Sequence, residues 1–142
     1  MADKTYTLSL LAAIKDVGGN PIPAKTWTVI TGPRPVVTTR TPAPGATGVA
    51  RTANLTAGFS EAVVGLPSTP AASSSYTLKQ TSTGTAVTSV ASYSSSTKTA
   101  TLDPGSSLLA NTAYTVTLSS GVKDVAGNPL TPLSWTFTTG AS

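Results

Sequence analysis

Cysteine and histidine are both absent from this chain, and methionine occurs once, at position 1. Without cysteine there is no disulfide and no thiolate metal site. Without histidine or cysteine, Ser-His-Asp and Cys-His nucleophilic catalysis are excluded. A serine–lysine pair survives that count, but no serine sits in a turn of the kind that activates a nucleophile. Charge is also scarce, at 10% of residues, and the carboxylates number five: Asp3, Asp16, Glu61, Asp103 and Asp124. Acid/base glycoside chemistry needs two of them facing across a cleft. Asp3 lies at the chain end, and Asp16 and Asp124 are one position of a repeat described below. No catalytic, cofactor-binding or metal-ligating residue is assigned, and no enzymatic activity or cofactor is expected.

Long apolar runs are missing too. None approaches membrane-spanning length, so no membrane insertion is expected, and the Met1-Ala2-Asp3 start carries no signal-peptide core and reads as an artificial beginning. The formal charge is +4, but the nine basic residues are scattered from Lys4 to Lys123. A nucleic-acid interface needs a basic stripe with exposed aromatics; none is present, and no nucleic-acid partner is expected.

What the chain does have is threonine and serine, about a third of its 142 residues, with 39% hydrophobic residues, 11 prolines and 12 glycines. That is enough apolar matter for one domain with a core. The β-branched and aromatic content favours pleated sheet, and the Gly/Pro punctuation favours short, turn-bounded strands. The composition is that of an all-β protein.

The chain also repeats itself. KDVGGNP at Lys15–Pro21 returns as KDVAGNP at Lys123–Pro129, and the match extends without a gap from Ala2–Gly32 onto Ala110–Gly140. About half the positions are identical, including the tyrosine, the Asp, the Gly-Asn-Pro and the tryptophan. A spacing near one hundred residues suits whole sandwich domains rather than a short-period solenoid. Residues between Pro35 and Ala110 occur once. The chain therefore reads as residues 1–32, the last strand pair of a preceding repeat; 33–37, a linker; and 35–140, one complete copy of the domain.

Period-2 alternation marks strands on both sides of each KDV loop: Tyr114, Val116 and Leu118, then Trp135 and Phe137, matched by Tyr6, Leu8, Leu10, Trp27 and Val29. In between, Asp124 can cap backbone amides, Gly127 can take positive φ, and Pro129 stops the ladder. Further strands are expected around Leu55–Phe59, Tyr76–Leu78, Val87–Tyr93 and Thr99–Leu102, the last two flanking a hairpin tip at SSSTK. The tally is about seven strands, the count of an Ig-like sandwich.

TPAPGATGVARTANLTAGFSEAV, TATLDPGSSLLANTAYTVTLSSGVKDVAGNPL and WTFTTG together closely resemble the S-layer-type bacterial Ig-like domain. The resemblance covers Pro35–Gly140 in full and Ala2–Gly32 as the tail of a preceding copy. It implies a β-sandwich strung in tandem in a secreted or cell-surface bacterial protein, hence an extracellular location, with neighbouring Ig-like repeats and other domains of the parent protein as partners. It implies no catalysis. Members of the family often carry acidic residues after the F-S-E element and at the Tyr93 hairpin; here Val63-Val64-Gly65 and Ser94-Ser95-Ser96 stand instead, which weakens any divalent-ion site at the loop tips. Periplasmic copper carriers share this architecture, but their sites use histidine and methionine; this chain has no histidine and only Met1.

Two readings stay open for the KDV loops. Asp124 with Asn128, and Asp16 with Asn20, could contribute to a calcium site, which wants six or more oxygens, or could simply form an Asx-turn. The aromatic rings fall on the inward phase of their strands, with Tyr93 the single candidate for an exposed, sugar-binding ring. Tyr114, following Leu109 and Thr112, resembles a tyrosine corner. Asn54-Leu55-Thr56 matches a glycosylation acceptor pattern and reads as coincidence. The expected role is a structural spacer; the alternative is an extracellular glycan- or cell-wall-binding adhesion module. Because two strands with one apolar face are marginal in water, residues 2–32 are further expected to self-associate, which a 33–142 truncation compared with 1–142 by light scattering would test.

Overall fold

The computed structural model describes residues 4–142. The chain forms two compact units, Met1–Pro33 and Arg34–Ser142. In the first, β1 (Thr5–Leu10) and β2 (Lys25–Ile30) make an antiparallel two-stranded sheet. The second holds β3 (Val37–Thr41), β4 (Leu55–Phe59), β5 (Val63–Val64), β6 (Tyr76–Gln80), β7 (Ser89–Ser94), β8 (Thr99–Pro104), β9 (Ala113–Leu118), β10 (Lys123–Asp124) and β11 (Leu133–Thr138). Seven of these nine strands are five or six residues long. They form a four-stranded sheet in the order β3-β4-β8-β7 and a three-stranded sheet in the order β11-β9-β6, with the short β5 and β10 paired beside them. The fold is an all-β, Ig-like sandwich.

Alternation decides what goes inside. Leu55, Ala57 and Phe59 of β4, Ala100 and Leu102 of β8 and Ala91 of β7 supply one inner face. Tyr76 and Leu78 of β6, Tyr114, Val116 and Leu118 of β9, and Trp135 and Phe137 of β11 supply the other. All of these belong to one buried cluster. The intervening threonines face outward and pair across strands, as where Thr117 and Ser134 share a 2.9 Å hydroxyl contact. The core thus follows the period of the strand.

One boundary differs from the sequence-based expectation, and the reason is local. The strand expected from Val87 begins at Ser89. Residues 85–87 bond to the other sheet: Gln80 N donates to Thr85 O and Val87 N to Leu78 O, both at 2.9 Å. The chain leaves β6, turns at Gly84, pairs briefly with β6, then crosses to β8. A continuous β-rich stretch therefore serves two sheets in succession.

β5 and β10 were not visible as strands at all. Val63 pairs with Asp124 and Val64 with Lys123, so the segment after F-S-E holds the second KDV loop. Gly65 follows with φ +87°. A Cβ there would fall within 2.1 Å of the Gly121 carbonyl oxygen, so only glycine allows this approach.

Candidate functional site

The chemistry-bearing motif is the repeated Asp-x-x-Gly-Asn-Pro loop, and its two copies are built alike. In the second, Asp124 N donates to Asn128 O at 3.0 Å and Gly127 N to Asp124 O at 3.1 Å. Gly127 has φ +90°, which a residue with a Cβ rarely adopts. Asp124 Oδ1 accepts the Asn128 backbone N–H and Oδ2 accepts the Asn128 side-chain N–H, each at 2.7 Å. In the first copy, Asp16 Oδ1 accepts from Asn20 N at 2.9 Å and Oδ2 from Asn20 Nδ2 at 3.0 Å. Gly19 has φ +85°. Each aspartate thus closes an Asx-type loop on itself, with both carboxylate oxygens engaged by one asparagine.

Surroundings separate the copies. Asp124 is buried, 3% exposed, whereas Asp16 is exposed. Burial pushes the Asp124 carboxyl up, but the Asn128 donors and the loop amides outweigh it and hold the group below the usual carboxylate range. For Asp16 the Asn20 hydrogen bonds dominate, with the same direction. Glu61 and Asp103 do not join either loop in a metal-sized cluster: among the described residues, no three of His, Cys, Asp and Glu gather. What the geometry forms is a hydrogen-bonded turn.

The aromatic candidates are also committed to packing. Tyr93 is half-buried; its hydroxyl accepts the Val63 N–H at 3.0 Å, and its ring meets Phe59 edge-on at 6.2 Å. This corrects its reading as an exposed ring: the hydroxyl reaches back to hold β5, so the ring lies against the core edge. The Tyr114 hydroxyl accepts the Leu109 N–H at 2.9 Å, the expected corner, and the ring stacks on Phe137 at 5.8 Å. Trp135 Nε1 donates to Pro42 O at 3.0 Å, and Arg40 lies over the indole at 5.7 Å. Tyr76 is buried with no hydrogen-bond partner for its hydroxyl among the described residues, and burial pushes its phenol up. The exposed rings are instead Tyr6 and Trp27, in the first unit.

Two ties escaped the sequence. Arg51 Nε donates to Leu108 O at 2.6 Å while Leu108 N donates to Arg51 O, pinning the loop before β9. Thr139, buried, donates to Leu109 O at 2.6 Å and accepts from Thr112 N at 2.9 Å. Its repeat partner Thr31 accepts from Lys4 N at 3.0 Å; the recurrence of this threonine before the closing glycine was the available signal. A small cleft of about 220 Å³ near the corner, lined by Gln80, Val87, Ser107 and Tyr114 among others, carries no charged side chain.

Comparison with known proteins agrees with this architecture. The pattern of the bacterial Ig-like domain matches residues 32–139. The chain belongs to that family. Among solved structures, the N-terminal part of the bacterial S-layer protein SbsC is similar over 75% of this chain and 23% of its own, with 23% identity and TM-score 0.54. SbsC domains 1–6 match with TM-score 0.53 and 23% identity, over 75% of this chain and 14% of theirs. CopC from Methylosinus trichosporium OB3b matches with TM-score 0.59 and 20% identity, over 75% of this chain and 93% of CopC. These likenesses are of fold. This Ig-like chain spans less than a quarter of the S-layer chains it resembles, and no curated protein matches it.

Proposed function

We propose that this bacterial Ig-like module is a non-catalytic spacer in a larger secreted or cell-surface protein, holding other domains of that protein apart. The observation that carries the reading is that the motif side chains of residues 34–142 are occupied by their own fold. Asp124 and Asn128 close a turn, Tyr114 and Tyr93 each anchor a backbone amide, and Trp135 holds Pro42. A spacer needs stiffness and a soluble exterior, and these contacts with the outward threonines provide both. Likeness to S-layer structures adds support for the surface location.

The test is replacement. Residues 34–142 in the parent protein are exchanged for an unrelated β-sandwich of similar length, and the parent's activity and its labelling on intact cells are measured. A spacer predicts that both persist. Loss of a ligand-binding or catalytic activity on replacement, with display intact, would sink the reading in favour of a binding module.

A further inference from the structure

The first strand pair is the same device as the last, lacking its cover. In β1–β2, Tyr6 faces Val29 and Leu8 faces Trp27; in β9–β11, Tyr114 faces Phe137 and Val116 faces Trp135, in identical register. Seven apolar positions correspond one to one, and in the second copy Tyr114, Val116, Leu118, Val122, Leu130, Trp135 and Phe137 are all buried. In the first copy Tyr6, Leu8, Ile14, Trp27 and Val29 are exposed. The outer edge of β9 pairs with β6, whereas among the described residues β1 pairs with β2 alone. Both an apolar face and a hydrogen-bonding edge are thus left without the neighbours that the twin possesses.

We infer that residues 4–31 are a donor strand pair: they complete an Ig-like sandwich that lacks its own last two strands, docking where β9 and β11 dock on residues 34–109. The twin specifies the partner's chemistry. It must offer an edge strand like β6, with Tyr76 and Leu78 turned inward, and an opposing sheet presenting small and aliphatic side chains, as Leu55, Ala57 and Leu102 do. The self-association expected from the sequence is set aside in this proposal on stoichiometric grounds. Each copy carries two such strand pairs and one acceptor, which already holds β9 and β11, so exchange between copies always leaves one pair uncovered. Two first units packed face to face fit poorly as well. Residues 4–31 carry Lys4, Lys15 and Lys25 against Asp16, so like charges would meet.

The test extends the whole chain. A second copy of residues 34–109 is placed directly ahead of residue 2, which occupies the position of residue 110 in the repeat. The added segment contains no tryptophan, so fluorescence reports Trp27 and Trp135 alone. In the natural chain one tryptophan should be open to acrylamide and one shielded; in the extended chain both should be shielded, and amides of 4–31 should exchange as slowly as those of 112–139. Trp27 remaining open, with fast exchange in 4–31, would overturn the inference. A second variant replaces residues 110–140 with 2–32 in the full chain. Cooperative unfolding with a shielded tryptophan is expected, and loss of cooperative folding counts against the donor role. Light scattering on the natural chain supplies the remaining arm. A monomer is expected; a dimer abolished by Trp27→Ser would show that the face covers itself and would overturn the proposal.

Discussion

Residues 4–31 and 112–139 have nearly the same local structure and opposite fates. Register, loop hydrogen bonds, the positive-φ glycine and even the closing threonine recur, yet Trp27 is 44% exposed and Trp135 4%. The difference separates two levels of folding. A strand pair and its turn are written in a short stretch of sequence, by alternation, an Asx-turn and a glycine. Burial is decided by what lies across from the strands, here β6 and the four-stranded sheet. A contact between repeat copies can therefore look identical on paper and carry very different energy.

The largest effect that can test this contrast comes from the two tryptophans. Trp135→Ala removes a buried indole and leaves the Pro42 carbonyl without its donor; urea unfolding should show a loss of about 3–5 kcal/mol. Trp27→Ala should stay within about 0.5 kcal/mol of the parent, as for a surface change. Equal losses would mean that the first strand pair is covered within the chain, and the contrast would fail.

Next come two hydroxyls. Tyr114→Phe strands the Leu109 N–H, at an expected cost of about 1–3 kcal/mol. Tyr6→Phe should change nothing measurable, because the Tyr6 ring is exposed. Tyr76→Phe runs the other way. Its hydroxyl is buried and unpartnered among the described residues, so removing it should raise stability by about 1 kcal/mol. A loss instead would reveal a partner for that oxygen. Urea midpoints for the three variants decide among these outcomes.

Most of the fold was legible because the strands announce themselves by period. Tyr114–Leu118 and Leu133–Thr138 alternate cleanly, and the tyrosine corner followed from Leu109, Thr112 and Tyr114 in order. What was not legible depended on pairing over long distances. Val63-Val64 is too short to show a period and becomes β5 only because Lys123–Asp124 returns beside it. Val87 looked continuous with Tyr93 because both are strand-like; that one bonds to β6 and the other lies beside β8 is a matter of topology. Tyr93 reads as exposed from its place beside a serine-rich hairpin tip, and nothing nearby in sequence points to the amide of Val63, 30 residues away. The loop aspartates were legible as turn-formers, while the burial of one and exposure of the other were not.

The aspartates also give the smallest contrast, in the pH dependence. A carboxyl held lower when folded than when unfolded contributes stability that is fully present above the ordinary carboxylate value, about 3.9. That contribution is lost as pH falls through the lowered folded value. Asp124 has this sign, with the Asn128 and loop hydrogen bonds outweighing burial, so the sandwich should weaken as the solution becomes strongly acid. Asp124→Asn should lower stability at neutral pH and flatten the acid limb of a plot of urea midpoint against pH. Asp16→Asn should leave that plot unchanged, because its loop is exposed and belongs to the unit whose apolar face is uncovered. If instead Asp16→Asn flattened the limb as much as Asp124→Asn, the two loops would be stabilising one cooperative unit. The first strand pair would then already have the cover that its twin enjoys.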